Sequence, residues 1–356
     1  MIRVLVAEDS ATVRELLVAI LESDPEFKIV GQAKNGVEAV DLARKLRPDL
    51  ITMDVHMPVM DGFAATKEIM VQAPTPIIIV SSSLSGRDVE TSFNALRAGA
   101  LMVVAKPHDP GAPTFNGRQE QFLSMAKAMA DVKVVRRWDR STRVVGSGTP
   151  PPRTADAGAA VPIVAIAAST GGPAALQRIL NDLPPEFPSP VLVVQHIAQG
   201  FTAGLAHWLA ASSPLQVKVA EHGELLVSRT VFVAPDDRHL GLQDGGRVAV
   251  LATPSVGGFR PSASVLFESA ARHGGSRVAA VILTGMGSDG VAGLAAVRAA
   301  GGQVIAQDEA TSVVHGMPRA AVEAGVVDSV LPLGEIAGHL AELARHGRHG
   351  RAGGRQ

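Results

Sequence analysis

Glu8 and Asp9 directly follow an apolar run, Arg3–Ala7; Asp54 ends a second, Leu50–Met53; Lys106 follows a third, Leu101–Ala105. If these runs are parallel strands of one sheet, the four charged side chains meet at one sheet edge. Three carboxylates in one pocket repel unless a cation lies among them, and hard oxygen donors suit Mg²⁺. Lys106 adds a positive charge able to pair with phosphate oxygens. A carboxylate held beside Mg²⁺ and lysine is equipped to attack a phosphoryl donor and carry an acyl phosphate. Acids scattered over solvated loops would account for any one of these residues, but not for four at strand ends.

A second constellation lies further along the chain. Val164-Ala165-Ile166-Ala167-Ala168-Ser169-Thr170-Gly171-Gly172-Pro173 reads as strand, serine, glycine pair and helix start. The glycines permit a tight turn and close approach of a ligand to backbone N–H groups. The turn fits either a phosphate cradle or a nucleophile displayed between strand and helix. The spacing is not that of a dinucleotide fingerprint. Another apolar run ends in Gln195-His196, and a third leads into Leu283-Thr284-Gly285-Met286-Gly287-Ser288-Asp289-Gly290. Serine, histidine and aspartate beyond three strand ends supply a nucleophile, a base and a carboxylate to fix the base's tautomer. The glycines around Met286 leave main-chain N–H groups free for a developing oxyanion. Of the chain's 11 histidines, His222, His239 and His273 are read as structural or surface groups.

The elements that must position these residues alternate. In the first part, strand-like runs at Arg3–Ala7, Lys28–Ala33, Leu50–Met53, Ile77–Val80 and Leu101–Ala105 are separated by helical patterns at Ser10–Ser23, Gly36–Leu46, Asp61–Gln72 and Asp88–Ala98. This is the pattern of a doubly wound five-stranded parallel sheet, whose ligands sit beyond the carboxyl ends of its strands. Residues 118–137 are polar and helix-compatible. Ser141 to Ala160 is rich in Gly, Pro, Ala, Ser and Thr and reads as a semi-extended linker. The second part predicts strands at Pro162–Ala167, Val191–Gln195, Val231–Ala234, Arg247–Leu251, Val278–Leu283, Gln303–Ala306 and Val326–Val330. Helices fit Pro173–Leu180, Thr202–Ala211, Ser262–His273, Gly290–Ala300, Pro318–Ala324 and Leu333–Ala344. The division is therefore residues 1–117, a linker 118–160, a larger α/β sandwich 161–345 and a tail 346–356.

Composition narrows the function classes. The 356 residues carry 33 Lys+Arg against 34 Asp+Glu, so no global basic field exists to hold a polyanion, and no basic recognition helix appears. Without cysteine there is no disulfide, thiolate metal site or cysteine nucleophile. Apolar runs are strand-length, far short of the roughly 20 residues that span a bilayer. The N-terminus meets Glu8-Asp9 too early for a signal peptide. A cytoplasmic protein without membrane insertion or nucleic-acid partner is expected.

The first part, with Asp54 in Met53-Asp54-Val55-His56-Met57-Pro58-Val59-Met60-Asp61-Gly62, resembles the receiver domain of a two-component response regulator. The resemblance implies Asp54 as phosphoacceptor, Glu8 and Asp9 holding Mg²⁺ together with the main-chain carbonyl of His56, Lys106 contacting the phosphoryl group, and Ser81 as switch hydroxyl. Ser82 and Ser83 compete for that last role. Ala168-Ser169-Thr170-Gly171-Gly172, Gln195-His196, Arg260-Pro261-Ser262 and Leu283–Gly290 together resemble the catalytic domain of the chemotaxis protein-glutamate methylesterases, the CheB family. That implies Ser169 as nucleophile, His196 as general base, Asp289 as its partner, Thr170 orienting the histidine through its hydroxyl, and the Met286 N–H in the oxyanion hole. It further implies a phosphorylation-activated hydrolase acting on methyl esters, and glutamines, of chemoreceptor cytoplasmic domains, with a histidine kinase as phosphodonor and no cofactor at the esterase site. The alternatives are a receiver-controlled hydrolase of another ester and a non-enzymatic docking module. Departures from the family pattern are His56 for an acid, Val103-Val104 without an aromatic residue, Ser264 for an acid and His315 for an aromatic. None of these is expected to touch the triad; Ser264 and His315 bear on substrate docking.

Overall fold

The structure, a computed structural model, describes residues 1–81, 93–96, 98–107, 115–132, 134 and 162–346. The predicted helix Asp88–Ala98 is therefore described only at 93–96 and 98, and Ser82, Ser83, the Ser141–Ala160 linker and the chain beyond His346 lie outside.

The first unit alternates β1 (Ile2–Ala7), α1 (Ala11–Glu22), β2 (Phe27–Ala33), α2 (Gly36–Leu46), β3 (Leu50–Asp54), α3 (Gly62–Gln72), β4 (Ile77–Ser81) and β5 (Met102–Ala105). All pairings are parallel, in the order β2-β1-β3-β4-β5. β3 and β4 are buried along their whole length, as continuous apolar runs in a sheet covered on both faces must be. Each helix start is fixed locally. Asn35 accepts the Glu38 N–H at 2.9 Å while Glu38 reaches back to the Lys34 N–H at 2.8 Å, and Asp61 accepts the Ala64 N–H at 2.7 Å. Because β1 lies between β2 and β3, the sheet's switch point falls where Glu8, Asp9 and Asp54 stand.

One boundary differs from the sequence reading. A helix, α4 (Phe115–Ala130), occupies the first stretch assigned to the linker, and its Phe122, Ala126 and Met129 are buried with Val4, Val6, Leu17 and Leu50. Their 3–4 residue spacing is that of one helix face, which the polar composition of the segment obscures.

The second unit holds a seven-stranded, wholly parallel sheet ordered β14-β13-β12-β6-β7-β9-β8. Here β6 is Ile163–Ala168, β7 Val191–Gln195, β8 Gln216–Val219, β9 Thr230–Val233, β12 Val278–Ile282, β13 Gln303–Gln307 and β14 Ser329–Leu331. β10 (His239–Gln243) and β11 (Arg247–Leu251) form a separate antiparallel hairpin. The six expected helices appear as α5 (Gly172–Asp182), α6 (Thr202–Ala210), α7 (Ala263–Gly274), α8 (Val291–Ala299), α9 (Met317–Glu323) and α10 (Leu333–His346). β8 and β10 were not anticipated: the first is a half-exposed edge strand, and in the second Gly241 breaks the apolar run. That glycine lets α7 approach, since a Cβ there would lie 2.5 Å from Ser269 Oγ.

The chain leaves β6 towards β7 on one side and later returns to β12 on the other, so this sheet's switch point lies at the ends of β6 and β12. The units meet through side chains. Phe93 stacks on Trp208 of α6, with ring centroids 5.4 Å apart and planes at 30°. Val313 and Val314 pack against the apolar cluster of the first unit that contains Val4 and Phe122.

Candidate active site

Ser169 follows β6 directly, and its N–H donates to the Thr284 carbonyl at 3.0 Å, tying the turn to the end of β12. Gly171 has φ +76°, which an L side chain rarely adopts, and a Cβ there would sit 2.6 Å from the Val313 side chain. A Cβ on Gly172 would fall 2.1 Å from Gln195 Oε1. The space is thus kept for Gln195, whose buried amide nitrogen donates to the Ser169 carbonyl at 2.7 Å and to the His196 carbonyl at 2.8 Å. One amide group holds the main chains of both residues.

His196 donates its N–H to the Ala168 carbonyl at 2.9 Å, and its ring Nε2 lies 2.9 Å from Asp289 Oδ2. Asp289 is gripped by the N-terminus of α7. Oδ2 also accepts the Ala263 N–H at 2.7 Å, while Oδ1 accepts the Ser262 hydroxyl at 2.9 Å and both the N–H and hydroxyl of Ser264 at 3.1 and 2.9 Å. Burial alone would raise the carboxyl's pKa, but the His196 ring, the Ala263 N–H and the Ser262 hydroxyl outweigh it and hold the group well below the usual carboxylate range. An ionised Asp289 can only accept, so the network assigns the ring proton to Nε2. Nδ1, nearer the backbone that bonds Ala168, is left as the basic nitrogen. It is buried with no hydrogen-bond partner, Ser169 Oγ included.

Gly285 packs on the serine: a Cβ there would lie 2.7 Å from Ser169 Cβ and 2.4 Å from Met317 Sδ. Its N–H donates to Val314, and its carbonyl accepts from Gly316 and Met317. The backbone is therefore pinned one residue before Met286, whose N–H donates to no acceptor among the described residues. Thr170 differs from expectation. It is buried and its carbonyl accepts the Thr284 hydroxyl at 2.8 Å, but its own hydroxyl bonds neither ring nitrogen of His196. Ser264 differs more: expected to stay clear of the triad, it supplies two of the bonds on Asp289 and also accepts the Gly290 N–H at 2.9 Å. His315 pairs with Gly285 across a parallel bridge, and its Nε2 is buried without a partner. His239 is structural, accepting the Ser262 N–H and bonding the Pro254 carbonyl; His222 accepts the Val250 N–H; His273 pairs with Asp244. In the sequence Gln195 and Ser262 figure only as parts of motifs and Ser264 only as bearing on substrate docking, so the bonds these three make here go beyond that reading. For Ser262 and Ser264 the local signal is the Ser-x-Ser spacing at a helix start.

The acidic pocket of the first unit also assembles. Carboxylate oxygens of Glu8, Asp9 and Asp54 lie within 4.8 Å of one another. Lys106 Nζ lies 2.8 Å from Glu8 Oε2 and 2.9 Å from Asp54 Oδ2, all three being buried. Burial, aided by the charge of Asp54, raises the Glu8 pKa against the opposing pull of Lys106. Burial lowers that of Lys106, but its bonds to Glu8 and Asp54 prevail and raise it. Three hard oxygen donors so close, two of them desolvated, fit a small divalent cation such as Mg²⁺. Ser81 ends β4 with its hydroxyl buried and unpartnered, as a group waiting for an acceptor would be. His56 follows Val55 in the turn after Asp54. Gly62 keeps that turn tight, since a Cβ would lie 2.0 Å from the Asp54 carbonyl oxygen.

Comparison with known proteins agrees with both halves. Residues 164–340 match the CheB methylesterase family, and residues 4–112 the response regulator receiver domain. The chain is 51% identical over 344 residues to protein-glutamate methylesterase/protein-glutamine glutaminase 4 of Myxococcus xanthus, covering 97% of each chain. It is 52% identical over 342 residues to the corresponding protein 3 of Anaeromyxobacter dehalogenans, covering 96% of this chain and 98% of that one. The crystal structure of the Thermotoga maritima CheB methylesterase catalytic domain superposes with a TM-score of 0.51 at 44% identity, covering 52% of this chain and 99% of that one.

Proposed function

The chain belongs to the CheB methylesterase family and carries a response regulator receiver domain in front of the hydrolase, and from that premise we propose that it is a phosphorylation-activated protein-glutamate methylesterase and protein-glutamine glutaminase. The observation that carries the reading is the His196–Asp289 bond, which leaves Nδ1 as the basic, unpartnered nitrogen of a residue whose main chain shares the Gln195 amide with Ser169.

Ser169 Oγ attacks the carbonyl carbon of a glutamyl methyl ester as its proton passes to His196 Nδ1. The Met286 N–H meets the oxyanion. Collapse breaks the bond to methoxide, which takes the proton from the imidazolium and departs as methanol. Water then attacks the acyl-serine, Nδ1 accepts its proton, and that proton returns to Ser169 as glutamate is released. A glutamine side chain follows the same course with ammonia leaving. The proposed substrates are cytoplasmic helices of methyl-accepting chemoreceptors, and no cofactor enters these steps. Among the described residues no helix is long and apolar enough to cross a membrane; the cytoplasm is the proposed place of action because the proposed substrates face it.

The receiver supplies control. The Asp54 carboxylate attacks the phosphorus of a donor, in the cell a phosphorylated histidine kinase. The bond from histidine nitrogen to phosphorus breaks as the imidazole leaves, and Lys106 and Ser81 engage the phosphoryl oxygens. Glu8, Asp9, Asp54 and the His56 carbonyl would hold Mg²⁺, which would supply positive charge to offset that of the phosphoryl oxygens. The Phe93–Trp208 contact supports a receiver docked on the hydrolase until Asp54 is modified.

The test is methanol release from methylated chemoreceptor membranes, with and without Mg²⁺ plus acetyl phosphate. Release should rise on phosphorylation, vanish in Ser169→Ala and lose its stimulation in Asp54→Ala. No release from several receptor sets despite phosphorylated Asp54 would move the output to another ester or to a binding role.

A further inference from the structure

Phe259 lies face to face with the catalytic imidazole. The ring centroids of His196 and Phe259 are 4.1 Å apart and the planes 10° from parallel. The arrangement is built by the local sequence. Val256 and Phe259 exchange both backbone hydrogen bonds, Val256 N–H to Phe259 O at 3.1 Å and Phe259 N–H to Val256 O at 3.0 Å. Gly257 and Gly258, at φ +59° and +85°, fill the two turn positions. A two-residue hairpin turn with positive φ at both centres is the type I′ turn, which glycine takes without steric cost. Nothing lies within 4 Å of a Cβ at either position, so the dihedral angles, not crowding, select glycine. The hairpin is then clamped: Arg260 Nε donates to Asp237 Oδ1 at 2.7 Å, and Nη1 to the Thr253 carbonyl at 3.3 Å.

His196 needs such a support. Its ring is fixed at Nε2 by Asp289, but Nδ1 has no partner. One hydrogen bond leaves the imidazole free to rock about that contact, and small misplacement of a base is costly. A ring packed flat on one face blocks the rocking. The negative face of the phenyl ring also favours the imidazolium formed as the serine proton is taken.

We propose that Phe259, presented by the Val256–Phe259 hairpin, is a positioning residue that holds the His196 imidazole in its productive plane. The proposal rests on His196 acting as the base, and its test separates the two. In full-length, phosphorylated protein with ¹³C-labelled histidine, the His196 ring protons should resonate upfield through the Phe259 ring current. They should return towards ordinary values in Phe259→Leu and stay shifted in Phe259→Tyr. Over the same variants, Phe259→Leu should lower kcat about 3- to 30-fold with KM for methylated receptor unchanged, and Phe259→Tyr should restore kcat. Gly257→Asn, which tolerates positive φ, should behave as wild type, and Gly257→Val should reproduce Phe259→Leu. An unshifted His196 ring, or a rise in KM at constant kcat, would overturn positioning and make Phe259 at most a substrate contact. Full activity in His196→Ala would overturn the base itself.

Discussion

His196 meets Asp289 through Nε2, so that Nδ1, the nitrogen nearer the protein backbone, is left without a partner and is the one that takes the serine proton in the proposed mechanism. Replacing the carboxylate by an amide reverses what that partner can offer. Asp289→Asn should keep the fold but permit the wrong tautomer, lowering kcat for methanol release by about 10⁴-fold. A loss under tenfold would mean that the four other bonds on the carboxylate, not the ring, are its purpose.

The same carboxylate should be visible in acid. Its pKa in the folded chain is depressed below the unfolded value, so the stability it contributes is full above about pH 5 and lost as pH falls towards the folded pKa. The urea midpoints of wild type and Asp289→Asn should therefore differ most near neutrality, and the gap should narrow steadily as pH falls below about 5. A gap that widens in acid would contradict this.

Gln195 bonds the main chains of Ser169 and His196 with one buried amide nitrogen. Gln195→Ala leaves the Ser169 and His196 carbonyls short of a donor, at about 1–3 kcal/mol of stability. The activity loss should exceed what unfolding explains: kcat down about 10- to 100-fold at a temperature where the variant is fully folded. Wild-type kcat in the folded variant would reduce Gln195 to a packing residue.

Phe93 and Trp208 join the two domains. Such a pair is worth about 0.5–1.5 kcal/mol, so Phe93→Ala should raise the activity of the unphosphorylated chain about 2- to 10-fold and leave the phosphorylated rate unchanged. Equal basal rates would remove this contact from the control.

Much of this was legible because parallel α/β sheets write their sites in a simple place. Apolar runs mark the strands, and the polar residues beyond them fall on one edge: Glu8, Ser169 and His196 follow strands directly, Asp54 ends one, and Asp289 lies in the loop after β12. What the sequence hid depends on contacts between distant segments. Ser262 and Ser264 look like ordinary helix-start residues until Asp289, 25 or more positions later, is seen seated on them. Gln195 has value only because Gly172 leaves a Cβ-sized space beneath it. Thr170 is the opposite case: the family resemblance implies a bond from its hydroxyl to His196, and neither ring nitrogen of His196 has that bond. Residues 118–137 read as helix-compatible, but that α4 packs on the first unit shows only in the spacing of Phe122, Ala126 and Met129.

The chain contains no tyrosine and two tryptophans, Trp138 and Trp208. With Trp138 changed to phenylalanine, all near-ultraviolet emission above 320 nm would come from the buried indole that Phe93 covers. The protein would then carry its own optical gauge of domain separation. Phosphorylation that lifts the receiver would wet the indole, shift its emission to the red and open it to acrylamide quenching, on a timescale that stopped flow can follow without any attached dye.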